Sequence, residues 1–585
     1  RMKNDEKLSY FLNESKIIKT DKLSKKVKIA ILGSFTLNGF EETIRVKCFQ
    51  NKIESKTYVA DYNQYSQEIL KHDSEFYKFR PDITFLILDV RHILGELFYT
   101  PYSVSNEKRE TFVKQKIVEI SNLINTIINN SKSHVIFSEL QIPTYSPYGI
   151  NESIEDLGLK QMVQKINNGI NELVKKQQLV SIFDFNTFIQ RYGETNVFSY
   201  KQFFSGDMKI SIEFIPKFID ELMRYIIAIL GITKKCIVLD LDNTLWGGII
   251  GEDGFDKIKL GDGPSGRGFV EFQKRLLALN QRGIILAINS RNNFEDAIKV
   301  IKEHPNMILK EENFSSMKIN WNDKATNLRE IAKDLNIGMD SLVFFDDDPI
   351  NREFVKEKLK EVFVVELPTD SSQYADILTQ MNVFEVQKIT EEDLKRREMY
   401  SEQQKRTEFE KKVGDFAEFL KQMNIKVEIK KADSFSIPRI SQLTLKTNQF
   451  NLTTKRYQEE DIEKLVSNSD RIVECAKVSD KFGDNGITGA YIVEKSDEEW
   501  TIDSFLLSCR IIGRGIEDVM ISRLIERARK ENVKRIKGKF IPTQKNKPAE
   551  DFYKEFGFTK EGDYWIFNVD NTMKKIEHIK VISDE

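Results

Sequence analysis

Short apolar runs recur along the chain, each closed by a polar turn and followed by apolar residues at helical spacing. Residues 27–32, 83–88 and 135–137 are such runs, and a run of this length bounded by turn residues predicts a buried strand. The amphipathic stretch 112–128 lies between them, so the pattern is that of a parallel sheet wound with helices. A second set follows, with strands at 236–241, 284–288 and 342–345 and helices at 268–281, 294–303 and 324–335. Residues 391–423 are dense in Lys, Arg and Glu with periodic apolar positions, which predicts a long solvated helix joining domains. From 425 onward the pattern becomes strand-rich (425–429, 471–478, 489–493, 501–507), followed by a helix at 515–530 and a strand at 535–540.

A chain of 585 residues should fold as about three or four domains. The pattern divides it into an extension (1–25), an α/β domain (26–231), a second α/β domain (232–385), a helical connector (386–423) and an α+β domain (424–585). A net charge of -2 with 31% charged residues indicates no polyanion-binding surface, so nucleic acid is not an expected partner. Cys48, Cys236, Cys475 and Cys509 show no metal-ligand spacing and fit a reducing compartment. No run approaches the ~18 apolar residues of a membrane span, and the first residues lack a signal-peptide core, so a cytoplasmic protein with no membrane contact is expected.

The chemistry concentrates where strands end. Asp240 and Asp242 lie immediately beyond an apolar strand, where one carboxylate can act as nucleophile and metal ligand and the other as acid and base. Ser290 follows the next strand and can hydrogen-bond a phosphoryl oxygen, Lys324 can offset developing charge, and Asp346 and Asp347 end a further strand. The D-x-D-N-T segment, completed by Asn243 and Thr244, resembles the signature of the haloacid-dehalogenase (HAD) superfamily, and the other motifs follow in its order. That resemblance implies a Mg2+ site at Asp240, Asp242, Asp346 and Asp347, with Asp347 the preferred direct ligand and Asn243 and Thr244 on the substrate. Only a Gly-rich excursion at 247–268 separates the first two motifs, too short for a large cap, so the site should be open to a large or protein-borne substrate.

Residues 236–253, 319–331 and 345–349 are similar to the FkbH-like branch of that superfamily, and the likeness extends to Gly33–Thr36, Lys446–Thr454 and Ser508–Glu517. Family membership implies an α/β multidomain chain: a degenerate SGNH hydrolase-like domain, a HAD-like Rossmannoid domain and a GNAT-like α+β domain. It also implies diversion of 1,3-bisphosphoglycerate, with loss of phosphate and loading of a glyceryl group onto an acyl carrier protein for polyketide biosynthesis.

Such a reaction needs a place for the carrier's phosphopantetheine. Arg510, Gly513, Arg514 and Gly515 form an R-x-x-G-x-G loop entering a helix, similar to the acyl-CoA loop of GNAT-fold acetyltransferases, whose amides can bind phosphate. Cys509 stands just before it and could carry a glyceryl thioester, or simply be a buried small hydrophobe. Asn448 and Asn451 lie in an amide- and hydroxyl-rich segment that could line a glyceryl pocket or cap a helix and turn. In the first domain Ser34 occupies the nucleophile position of SGNH-type hydrolases, but neither His72 nor His134 stands in the terminal Asp-x-x-His arrangement, and no His follows Asp207 within the domain. A role in assembly or carrier docking is expected there instead. Two other readings fit the motifs: a phosphatase fused to a CoA-dependent N-acetyltransferase, and a nonenzymatic docking scaffold.

Overall fold

The computed structural model describes residues 7–19, 23, 25–387, 389, 402, 406, 409, 413–543, 546–574 and 576–582. The connector expected over 386–423 lies mostly outside them; Phe416–Gln422 within it is a helix. The chain falls into two compact units, Arg1–Ile227 and Ala228–Glu585.

The first unit holds a parallel sheet of β1 (Lys25–Gly33), β2 (Ile53–Val59), β3 (Ile83–Ile87), β4 (His134–Ser138) and β5 (Val180–Phe183), in the order β2-β1-β3-β4-β5. Every residue of β3 and β4 is buried, because helices cover both faces of such a sheet and its strands read as continuous apolar runs. The helix Asn106–Ser131 buries Ile120, Ile124 and Ile127, one apolar stripe at helical spacing. The N-terminal extension contains a helix, Leu8–Ile17, whose Phe11 packs with Val46 and lies under the Lys47 ammonium at 4.9 Å.

The second unit carries two sheets. One is parallel: β6 (Cys236–Leu239), β7 (Ile285–Ser290), β8 (Phe314–Ile319), β9 (Leu342–Phe345) and β10 (Phe363–Val364), ordered β10-β9-β6-β7-β8. The strand sequence reverses direction at β6, between β9 and β7, and a crevice opens at the carboxyl ends on such a reversal. β6 stops at Leu239, two residues before the expected 241: the Asp240 amide still donates to Phe345, and then Thr244 and Leu245 turn back onto the Leu241 carbonyl. Asn243 takes a left-handed φ of 52° at that turn, which Asn tolerates better than most residues.

The other sheet is mixed. It comprises β11 (Ile425–Lys431), β12 (Phe450–Asn451), β13 (Arg471–Asp480), β14 (Gly483–Glu494), β15 (Glu499–Leu507), β16 (Arg535–Gly538), β17 (Thr559–Glu561), β18 (Tyr564–Asn568) and β19 (Ile579–Ile582). β13, β14 and β15 are an antiparallel meander, and the helix Ile516–Lys530 then crosses over so that β16 pairs parallel with β15. This is an α+β arrangement, the class that the strand-rich pattern predicted.

Candidate functional site

Three strands and one helix converge on a small buried volume at the crevice. Asp240 follows β6 and Asp346 and Asp347 follow β9, and ligand oxygens of the three all lie within 4.8 Å of one another. Asp240 and Asp346 are 8% and 0% exposed. The helix Lys324–Asp334 is started by Asp323, whose carboxylate accepts from the Thr326 amide. This start aims the Lys324 side chain inward, where its ammonium sits 2.9 Å from Asp240 and 3.0 Å from Asp346 and donates to the Asn289 carbonyl at 2.8 Å. Burial works to lower the Lys324 pKa, but the two carboxylates outweigh it and hold it raised, so the lysine stays charged.

Asp242 stands apart from that cluster. One of its oxygens accepts from the Trp246 indole at 2.9 Å and the Ile250 amide at 3.1 Å, and the other from the Asn292 amide group at 2.9 Å. The expectation that its side chain joins the metal set is therefore corrected: the DxD spacing turns the second carboxylate to the other side of the loop. Burial raises its pKa against these donors, which suits a group that gives and takes a proton. Asn292 also donates to Ser290 Oγ at 3.2 Å, joining the two motifs. Its only sequence signal was its place two residues after Ser290.

Asn243 and Thr244, expected on the substrate, lie in the turn that follows β6. Asn243 Oδ1 accepts from the Gly248 amide at 2.8 Å, which shapes the turn, and Thr244 is wholly buried. Four large apolar side chains are exposed on the segments that follow the strands' carboxyl ends: Ile249, Phe294, Trp321 and Ile350. Trp321 is 70% exposed, and its indole donates to Asn293.

Three carboxylates facing one ammonium leave excess negative charge in a buried space, and an all-oxygen donor set of this kind fits Mg2+. The same excess is visible at Asp347: burial first, then the charges of Asp240 and Asp346, push its carboxyl up to about 7. An acid whose folded pKa is raised contributes stability in full below its ordinary value and loses it as pH rises through the folded one. Metal-free protein should therefore lose about 1–2 kcal/mol on this account between pH 4 and 8, a figure already discounted for the half-buried position. Thermal melts across that range should show a shallower slope for Asp347→Asn, and an unchanged slope would refute this origin.

In the C-terminal sheet the expected phosphate loop enters its helix through Gly513 and Gly515, at φ of 78° and 85°. Its two arginines are turned inward, unlike the expectation. Arg510 is 7% exposed, and Arg514 lies 3.6 Å from the buried Asp480. Cys509 is half-buried, and its carbonyl accepts from the Asn336 side chain. Asn448 accepts from Arg456 at 2.7 Å, while Asn451 is 0% exposed and its Oδ1 accepts from the Thr454 amide. The side-chain oxygens of both asparagines are thus taken by donors of this chain.

In the first unit Ser34 is buried and its Oγ accepts from the Asp89 amide at 2.7 Å. Asp89 is paired with Lys209 at 3.1 Å and Arg91 at 3.2 Å. His134 sits on β4 against Ser181, and burial takes its pKa down to about 4, so it is a neutral structural residue.

Residues 28–227 match the model of the FkbH N-terminal domain. The N-terminal part of the protein BF1531 from Bacteroides fragilis, a crystal structure containing a phosphatase domain complexed with Mg, is 28% identical. That match has a TM-score of 0.60 and covers 65% of this chain and 99% of that one. The ribosomal-protein-S18-alanine N-acetyltransferase from Escherichia coli is 11% identical with a TM-score of 0.20, over 26% of this chain and 99% of that one. Rv2747 from Mycobacterium tuberculosis, solved with CoA and NLQ, is 18% identical with a TM-score of 0.19, over 23% of this chain and 72% of that one. No curated protein matches. The chain thus carries a phosphatase-like fold in the part that the BF1531 structure covers, and no helix among the described residues is long and apolar enough to cross a membrane. Residues 28–227 are thus similar to the FkbH N-terminal domain, and the motifs at Asp240, Ser290, Lys324 and Asp346 accord with the likeness to the BF1531 structure and its phosphatase domain.

Proposed function

We propose that the protein converts 1,3-bisphosphoglycerate to a glyceryl thioester on the phosphopantetheine thiol of an acyl carrier protein. The observation that carries this reading is the convergence of Asp240, Asp346, Asp347 and Lys324 in the crevice of the parallel sheet. Asp240 attacks the phosphorus of the C3 phosphate and the bond to the C3 oxygen breaks. Asp242 gives its proton to that oxygen and then takes one from the water that hydrolyses the aspartyl phosphate. The Ser290 hydroxyl and the Lys324 ammonium hold phosphoryl oxygens. A Mg2+ held by Asp240, Asp346 and Asp347 would offset the charge on those oxygens.

At C1 the acyl phosphate is already activated. A thiolate attacks the carbonyl carbon, the bond to the phosphate oxygen breaks, and phosphate leaves. In this reading Cys509 supplies the first thiolate, and the carrier's thiol displaces it in an exchange that is nearly isoenergetic. The family resemblance supports the substrate, and the apolar side chains at Ile249, Phe294, Trp321 and Ile350 suit a large one.

Intact-protein mass spectrometry tests the whole reading. With 1,3-bisphosphoglycerate, Mg2+ and phosphopantetheinylated carrier, the carrier should gain one glyceryl mass without phosphate; folded proteins that give no such adduct would sink it. Cys509→Ala should slow loading by about 10²-fold or more, since it removes the covalent relay. Loading at an undiminished rate would remove Cys509 from the path while leaving the overall reaction in place.

A further inference from the structure

The two oxygens of the Asp242 carboxylate are held differently. Oδ1 accepts from the Trp246 indole at 2.9 Å and from the Ile250 amide at 3.1 Å, whereas Oδ2 accepts only from Asn292 Nδ2, at 2.9 Å, among the described residues. A carboxylate oxygen has two lone pairs, so Oδ1 is fully used and Oδ2 keeps one. A proton carried by this group therefore belongs on Oδ2. The terminal torsion of an Asp side chain is broad, and without these donors the carboxylate could turn to present either oxygen. Trp246 is 0% exposed and Asn292 6%, so close packing restrains both side chains that fix it. Asn292 Nδ2 also donates to Ser290 Oγ at 3.2 Å. One amide nitrogen thus ties Oδ2 to the hydroxyl that faces the phosphoryl group in the function proposed above, and because Oγ accepts in that bond, its own proton is left for a phosphoryl oxygen.

We propose that Oδ2 of Asp242 carries the proton passed to the leaving oxygen, and that Asn292 and Trp246 are positioning residues that aim it. As Asp240 forms its bond to phosphorus, the bond from phosphorus to the leaving oxygen breaks, and that oxygen takes the proton from Oδ2. Oδ2 then recovers a proton from the water that attacks the aspartyl phosphate. Asn and Trp side chains have no proton to give in water, so neither residue is itself catalytic. The inference rests on the reading of Asp242 as acid and base, and adds which oxygen acts and what holds it.

The leaving group separates positioning from support of the fold. An alkoxide needs the proton as it departs and p-nitrophenolate does not, so a misplaced acid slows departure of the first alone. The readout is kcat/KM, which covers the steps up to that departure and not the later attack of water. On the full chain with Mg2+, Asn292→Leu keeps the approximate shape and removes the donor. It should lower kcat/KM for 3-phosphoglycerate about 10²-fold more than for p-nitrophenyl phosphate. Trp246→Phe, which removes one N–H and keeps a packed ring, should show the same preference at about tenfold. Asp242→Asn should show it most strongly. A preference in Asp242→Asn with equal losses on the two esters in both other variants would overturn this proposal alone. No preference in Asp242→Asn, or a native protein that releases phosphate from neither ester, would overturn the reading of Asp242 and this proposal with it. No carrier is present, so failure of carrier loading leaves these results untouched.

Discussion

Asp240→Asn should reduce phosphate release by about 10⁴-fold, close to 5.5 kcal/mol of transition-state stabilisation. The substitution is isosteric, so Lys324, Ser290 and Asp346 keep their places, and what is lost is the oxygen that attacks phosphorus together with one negative charge. It also relieves repulsion, since Asp240 is one of the charges that push Asp346 and Asp347 up. The variant should therefore be at least as stable as the native protein without Mg2+. Steady-state phosphate release beside a thermal melt separates the two effects. A variant that keeps activity within about tenfold would show that another group is the nucleophile.

Lys324→Met is expected to have the largest effect on stability. The ammonium is 1% exposed and touches two buried carboxylates and a carbonyl, so removing it leaves charge in the crevice with no compensation. Breaking one side of such a buried arrangement costs about 3–5 kcal/mol. Coupling should reveal the cause: in Lys324→Met/Asp346→Asn the loss should be smaller than for Lys324→Met alone, because the orphaned charge has been removed as well. Denaturant titration of the single and double variants measures this. Additive losses would mean that the lysine matters through packing instead. Added Mg2+ should recover part of the stability of Lys324→Met.

Much of the candidate crevice could be read from the chain because its motifs are local. Each sits within a few residues of a strand's carboxyl end, and the alternation of strand and helix brings those ends together at the reversal of strand order. What could not be read was how neighbouring loops use the same side chains. The resemblance implied that Asp242 is a metal ligand, but the indole of Trp246 and the amide of Asn292, 50 residues further on, claim its side-chain oxygens. The C-terminal module shows the same limit more sharply. The Arg510–Gly515 loop is legible as a phosphate-binding pattern, yet the inward turn of its arginines, with Arg514 beside the buried Asp480 side chain, is not. The polar segment around Asn448 and Asn451 suggested a ligand pocket, because hydroxyls and amides look alike whether they face a ligand or bind the protein's own backbone. Its role as a strand follows only from a pairing with β15, more than 50 residues away in the chain.

The Phe450–Leu452 strand also bears on how this half of the molecule is assembled. Its partners on one side, Phe505 to Leu507, are made some 55 residues later, and Ile541 and Asn546 on the other side about 90 residues later. Closing such long loops is entropically slow, so the strand seats late, after the helix Ile516–Lys530 has brought β16 beside β15. Until then β15 presents an unpaired apolar edge, the feature that draws partly folded chains together. Chains truncated before Ile541 should on this account collect as aggregates rather than as a smaller folded protein.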